Sequence, residues 1–227
     1  MSNHAPIKKL YNVEEFLKFI EPETQKPGNE NNRYELIDGI IYMMAYQSMT
    51  HYNICKFIES AFANYFENNG YIVINGSVAL FLLDTKYFES FNPPKSECKD
   101  FFRPDLMVIC DNNAEIKNDT VHSIPDIVVE VVSKSNAGHD YIRKLNAYYV
   151  FGVKEYWLVD PIKRKIRVYD MHTDFNDPRE YDYTFDHIIR SELFDDLYVN
   201  FKQFTEFVED QEINGEITSI EECDEYV

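Results

Sequence analysis

Residues 124–133 read IPDIVVEVVS. A run of β-branched apolar residues bounded by Pro-Asp and by polar residues is the composition of a strand buried on both faces, and such strands lie at the centre of sheets covered on both sides. It needs a neighbour at each edge. RPDLMVIC (103–110) and KEYWLVDP (154–161, stopped by Pro161) read as two further strands. Between the second and third strands, SNAGHDYIRKLNAYYVFG (135–152) reads as a helix ended by Gly152. Strand, strand, helix, strand is an α/β core with one crossover, and such sheets place ligands near strand ends.

The central run carries an acid, Glu130, between Val129 and Val131. Strand side chains alternate faces, so Glu130 shares one with Val128 and Val132. A buried carboxylate without a partner costs several kcal/mol. Two compensations are open: a buried salt bridge, or a metal ion held with a second acid. Asp105, directly after Pro104 at the start of the neighbouring strand, is that second acid. Two carboxylates on adjacent strands repel unless a divalent cation lies between them, and such a pair holds Mg²⁺ or Mn²⁺ with waters left over to act as nucleophile.

Elsewhere, YNVEEFLKFI (11–20) has helical spacing and EPETQKPGNENN (21–32) the composition of an exposed loop. Asp38-Gly39 between apolar runs (33–45) signals a hairpin. Ser48 can cap a helix running to about Asn68, with His51, Ile54, Cys55, Ile58, Phe62 and Tyr65 along one side. YIVING and SVALFLLD read as extended segments, and KIRVYD follows a tight PIKR turn. A strand pair and a short helix complete the fold to about residue 205.

At 227 residues with 44% hydrophobic side chains, the chain suits one domain with a substantial core and lies outside the disordered class. No segment has the length of a bilayer span or the pattern of a signal peptide. The four cysteines show neither zinc-knuckle nor disulfide spacing, so a reduced, cytoplasmic protein is expected. The net charge of −18 counts against electrostatic binding of nucleic acid, but half of it sits after residue 204, where nine acids meet no Lys or Arg. The expected organisation is one domain over 1–205 and an acidic tail over 206–227.

Taken together, YELIDG (34–39), RPDLMV (103–108), PDIVVEVVSKSN (125–136), Asp140, Lys144 and GVKEYWLVDP (152–161) resemble the Uma family within the PD-(D/E)XK nuclease superfamily. The resemblance runs from about residue 8 to residue 205. It implies a restriction-endonuclease-like α/β fold, a mixed central sheet flanked by helices, with an N-terminal helix and hairpin. It also implies a metal-dependent endonuclease with DNA as its substrate. Asp105 matches the metal-binding Asp, Glu130 the acid of (D/E)XK, and the Val131 carbonyl the backbone ligand for Mg²⁺ or Mn²⁺. The lysine position on the strand is occupied by Val132; Lys144 matches branches in which the lysine has moved to the next helix, with Lys134 next in line. Asp140, four residues before Lys144, would then steer its ammonium.

Other residues have two readings each. Glu35 either completes the acidic cluster or is an exposed hairpin charge. His51 is either a helix histidine of the site or a satisfied structural residue. Asp126 either repeats the Pro-Asp pattern of Asp105 or serves a turn or cap, Trp157 suits the core, and KRKIR (163–167) suits either phosphates or a hairpin rim. Ser133 has no histidine at a recognisable spacing for nucleophilic chemistry. A rival from another class is a non-catalytic acidic interaction protein on the same fold. A homodimer is the assembly considered, with Phe207, Val208, Ile217 and Ile220 of the tail as its apolar docking residues.

Overall fold

The computed structural model describes residues 9–30, 32–44, 47–81, 98–133, 139–173 and 178–205, with the backbone alone over 139–141. In chain order the elements are α1 (Val13–Thr24), β1 (Tyr34–Ile37), β2 (Ile40–Met43), α2 (Met49–Phe66), β3 (Tyr71–Asn75), β4 (Ala79–Leu80) and β5 (Leu106–Cys110). Two short strands follow, β6 (Ile116–Lys117) and β7 (Thr120–Val121), then the central β8 (Ile127–Val131). A π-helical turn (His139–Lys144) leads into α3 (Leu145–Phe151). The chain ends in β9 (Glu155–Asp160), β10 (Lys165–Asp170), β11 (Arg179–Thr184), β12 (Ile188–Arg190), β13 (Tyr198–Asn200) and a helical turn over 201–205. The tail expected from residue 206 lies outside the described residues.

Six strands form a mixed sheet in the order β11-β10-β9-β8-β5-β3. All pairs are antiparallel except β8–β9. Parallel neighbours need a crossover, and the π-turn with α3 supplies it. Every residue of β8 and β9 is buried, as a doubly covered centre requires. Ile54, Ile58, Phe62 and Phe66 of α2 pack on one face against Leu106, Val129 and Trp157. Tyr148 and Phe151 of α3 pack on the other against Met107, Val128, Val132 and Tyr156. A third cluster joins α1 to β1 and Phe101.

Local chemistry accounts for most boundaries. Asn12 caps α1 in a reciprocal capping box with Glu15, and the Ser48 side chain caps α2 by accepting the His51 N–H. Asp38 and Gly39 have φ of 51° and 75°, the positive pair that a two-residue hairpin needs. At Gly39 a Cβ would also stand 3.0 Å from the Tyr11 carbonyl oxygen, so the position has no room for a side chain. Gly152, at φ 88°, closes α3 by donating its N–H to the Tyr148 and Tyr149 carbonyls.

Three expectations change. α1 runs to Thr24, four residues into the segment expected to be loop, with Pro22 inside it. A proline near the last turn forfeits one bond, and the Thr24 hydroxyl donates to the Ile20 and Glu21 carbonyls there. The crossover helix opens as a π-turn rather than as an α-helix, so i,i+4 spacing no longer sets which side chains face each other over 139–144. The C-terminal strand pair is three strands, because β11 adds to the main sheet while β12 and β13 pair with each other.

The hairpin is tied to the core by Asp100, whose Oδ1 accepts the Asp38 N–H at 2.8 Å. Burial pushes the Asp100 carboxyl up to about 6, and the Asp38 charge adds to the rise. A carboxyl whose folded pKa is raised makes the folded state bind more protons than the unfolded one, so stability falls as pH rises from about 4 to about 6 and stays lower above that. We expect Asp100→Asn, which keeps the acceptor, to gain stability over the wild type across that window, by about 2 kcal/mol at pH 8 relative to pH 4. Denaturant melts of the two proteins at four pH values measure this, and parallel profiles would reject it.

Candidate active site

β5 and β8 are antiparallel with Leu106 opposite Val129, and Asp105 and Glu130 each directly adjoin that pair. Both lie at the end of the sheet where the parallel strands β8 and β9 present their carboxyl ends, the usual place for a ligand. Both are buried, Asp105 at 6% and Glu130 at 3% exposure.

Glu130 faces the α3 layer. Its Oε1 accepts from Lys144 Nζ at 2.9 Å and from the Tyr148 hydroxyl at 2.8 Å. Lys144, at the last position of the π-turn, is itself 2% exposed and also meets Glu35 Oε1 at 3.0 Å. Glu35 sits on the buried strand β1 and accepts the Arg103 peptide N–H at 2.8 Å. One ammonium therefore joins acids from two sheets that are 95 positions apart in the chain. Tyr148 keeps its proton, because burial above all, and then the Glu130 and Glu35 charges, raise its pKa well above the usual phenol value.

Asp105 is held from the α2 side. Its Oδ2 accepts the Val131 peptide N–H at 2.8 Å and lies 3.0 Å from His51 Nε2, while Oδ1 accepts from Gln47 Nε2 at 3.1 Å. On the other side of the imidazole, Cys55 Sγ is 3.6 Å from Nδ1. His51, Cys55 and Asp105 each offer a ligand atom, all within 4.8 Å of one another. Burial first, then Asp105 and Glu130, raise the Cys55 thiol pKa far above its ordinary value. The burial contribution disfavours either sign of charge; only the Asp105 and Glu130 contributions act as a negative potential.

The structure thus brings Glu35, Asp105, Glu130 and Lys144 to one end of the sheet, with the Val131 peptide bonded to Asp105 through its N–H. It adds four residues that sequence reasoning did not select: Gln47, Cys55, Tyr148 and Arg103. Cys55 was open to discovery, since it stands one helical turn after His51 on the same buried side of α2. The others are fixed by contacts across the fold. Asp126 lies at the opposite end of β8, where it accepts the Cys110 N–H and the Lys154 ammonium, a structural clamp. Within KRKIR, Lys163 pairs with Asp160, and Arg167 with Glu180 and Asp182, on the β9–β10 and β10–β11 hairpins. Trp157 is core. Lys134 and the side chain of Asp140 lie outside the described residues.

Similar proteins frame this arrangement. The uncharacterized protein slr1290 of Synechocystis sp. is 26% identical over 174 residues, 76% of this chain and 80% of that protein. A crystal structure of "a putative nuclease belonging to DUF820" from Anabaena variabilis superposes with a TM-score of 0.62, covering 85% of this chain and 98% of that one. At 15% identity, what the two share is the fold. The sequence profile of the Uma2 family, described as "Putative restriction endonuclease", matches residues 13–201, from the start of α1 to the end of β13, and the chain belongs to that family.

Proposed function

We propose that the protein is a metal-dependent endonuclease that hydrolyses DNA phosphodiester bonds at the Asp105–Glu130–Lys144 site. The observation that carries this reading is the burial of three carboxylates at one end of the sheet, Glu35 and Glu130 on the buried Lys144 ammonium and Asp105 beside them on His51 and the Val131 N–H. Such a cluster keeps an excess of negative charge, and a divalent cation is its natural complement. The ligand set of Asp105, Glu130 and the Val131 carbonyl is all oxygen, which suits Mg²⁺ or Mn²⁺; including His51 and Cys55 would instead suit a softer ion such as Zn²⁺. When bound, Mg²⁺ or Mn²⁺ supplies Lewis-acid stabilisation of the phosphoryl oxygens and lowers the pKa of water.

The chain's own residues do the rest. Lys144 is held between Glu35 and Glu130, so its ammonium has a fixed place from which to orient the attacking water and stabilise charge developing on the phosphate. The Tyr148 hydroxyl and the Lys144 ammonium together fix Oε1 of Glu130. His51, Gln47 and the Val131 N–H hold Asp105 in place.

Cleavage of plasmid DNA that requires Mg²⁺ or Mn²⁺ and stops with chelator tests the activity. Metal binding has its own measurement. At a hundredfold excess over Kd, binding adds about 2.7 kcal/mol, a rise of roughly 5–10 °C in Tm for a chain of this size. Glu130→Gln should show a small fraction of that rise. Equal shifts in both proteins would place the ion elsewhere, for example on the acidic tail.

A further inference from the structure

Arg103 stands two residues before Asp105, and its Nε is buried with no hydrogen-bond partner. Its peptide N–H is bonded to Glu35, but its guanidinium forms no ion pair among the described residues. The antiparallel bridge between Leu36 and Phe101 brings the Arg103 segment alongside β1, the strand that directly follows Arg33. Arg33 is exposed and donates from Nη1 to the Gly76 carbonyl at 3.2 Å. Gly76 rests on the same segment: a Cβ there would stand 3.2 Å from the Pro104 carbonyl oxygen and 3.6 Å from the Asp105 Cα. Two guanidiniums thus gather on the outer edge of the Asp105 segment.

We propose that Arg33 and Arg103 form a phosphate clamp at the rim of the site, which on the endonuclease reading above seats a backbone phosphate of the DNA. Two like charges brought together are stabilised by an anion between them, and a guanidinium presents a planar fork that matches phosphate oxygens. A buried N–H without an acceptor is a cost that an incoming oxygen removes. A chain of net charge −18 has no long-range attraction for DNA, so recognition of the backbone has to be local. The clamp provides it next to the acid that would hold the metal.

Two measurements test it. Protein labelled with ¹⁵N-arginine is titrated with inorganic phosphate at constant ionic strength, and the Arg103 Nε–H resonance, assigned by its loss in Arg103→Lys, should shift and saturate. Separately, the uncleaving Glu130→Gln protein is titrated with a fluorescent DNA duplex over a range of salt. Arg33→Ala and Arg103→Ala should each weaken binding about tenfold and reduce the slope of log K against log salt by about one. Arg103→Lys, which keeps the charge but loses the fork, should restore the slope and only part of the affinity. A phosphate titration without saturation, or arginine variants with wild-type affinity and slope in a protein that binds DNA, overturns the clamp. A saturating phosphate shift in a chain that never binds or cuts DNA keeps the clamp and removes the endonuclease reading instead.

Discussion

Asp105→Ala and Glu130→Ala should each reduce divalent-dependent DNA cleavage by about a thousandfold or more. Either substitution removes a proposed cation ligand, and the transition-state stabilisation lost with the cation is several kcal/mol. The two positions differ in their structural side effects. Asp105→Ala removes the acceptor of the Val131 N–H and the partner of His51 Nε2, whereas Glu130→Ala removes one of the two carboxylates on Lys144. Asp105→Asn and Glu130→Gln therefore belong in the same experiment, because they keep the volume while removing the charge. Loss of cleavage in all four, with melting curves that show folded protein, assigns the chemistry to this site. Cleavage that survives in both alanine variants means a contaminant or another centre. A wild type inert on single-stranded, double-stranded and branched DNA with either metal favours the non-catalytic interaction protein.

Lys144→Met should lower Tm by on the order of 10 °C in the absence of metal. The ammonium is 2% exposed and lies 2.9–3.0 Å from two buried carboxylates, so its removal strands both. Breaking a buried pair in this way costs roughly 3–5 kcal/mol, and each kcal/mol moves Tm by about 2–4 °C in a chain of this length. The same variant should gain more Tm from Mn²⁺ than the wild type does, since the cluster has lost the cation that bridges Glu35 and Glu130. Replacing Glu35 and Glu130 with Gln in the Lys144→Met background should return much of the stability, because amides need no counter-charge. A Tm within two degrees of wild type would mean that the carboxylates reach water once the lysine is gone. Turnover should fall in Lys144→Ala even with saturating metal, because the residue acts on water and phosphate rather than as a ligand.

Glu130 and Glu155 show how far local pattern reaches. Both are acids in strands that are buried throughout, and nothing in IVVEV or EYWLVD distinguishes them as chemistry or structure. Glu155 is completed by Trp157 Nε1, Ser191 Oγ and the N–H groups of Glu192 and Leu193. Trp157 is two residues along in β9 and the other donors come from the loop after β12; together they oppose the rise that burial imposes on its pKa. Glu130 is completed by Lys144 and Tyr148 and shares its lysine with Glu35. The family resemblance assigned a role to Glu130 and none to Glu155; the strand composition does not separate them.

What the sequence determined by itself is local or periodic: the doubly buried β8, the Asp38-Gly39 hairpin, the Ser48 cap, the Gly152 stop, and the placing of Asp105 and Glu130 at neighbouring strand ends. These follow from side-chain alternation, backbone sterics and capping, which act over a few residues. Only the tertiary structure decided that Glu35 is buried on Lys144 rather than exposed on its hairpin, that His51 reaches Asp105 with Cys55 behind it, and that Arg103 is left with an unmet N–H beside Arg33. Each depends on segments separated by tens of residues meeting in three dimensions. The π-turn belongs with them. It differs from an α-helix by one residue per hydrogen-bonded ring, a difference that propensity does not encode but that sets where the Lys144 ammonium lies.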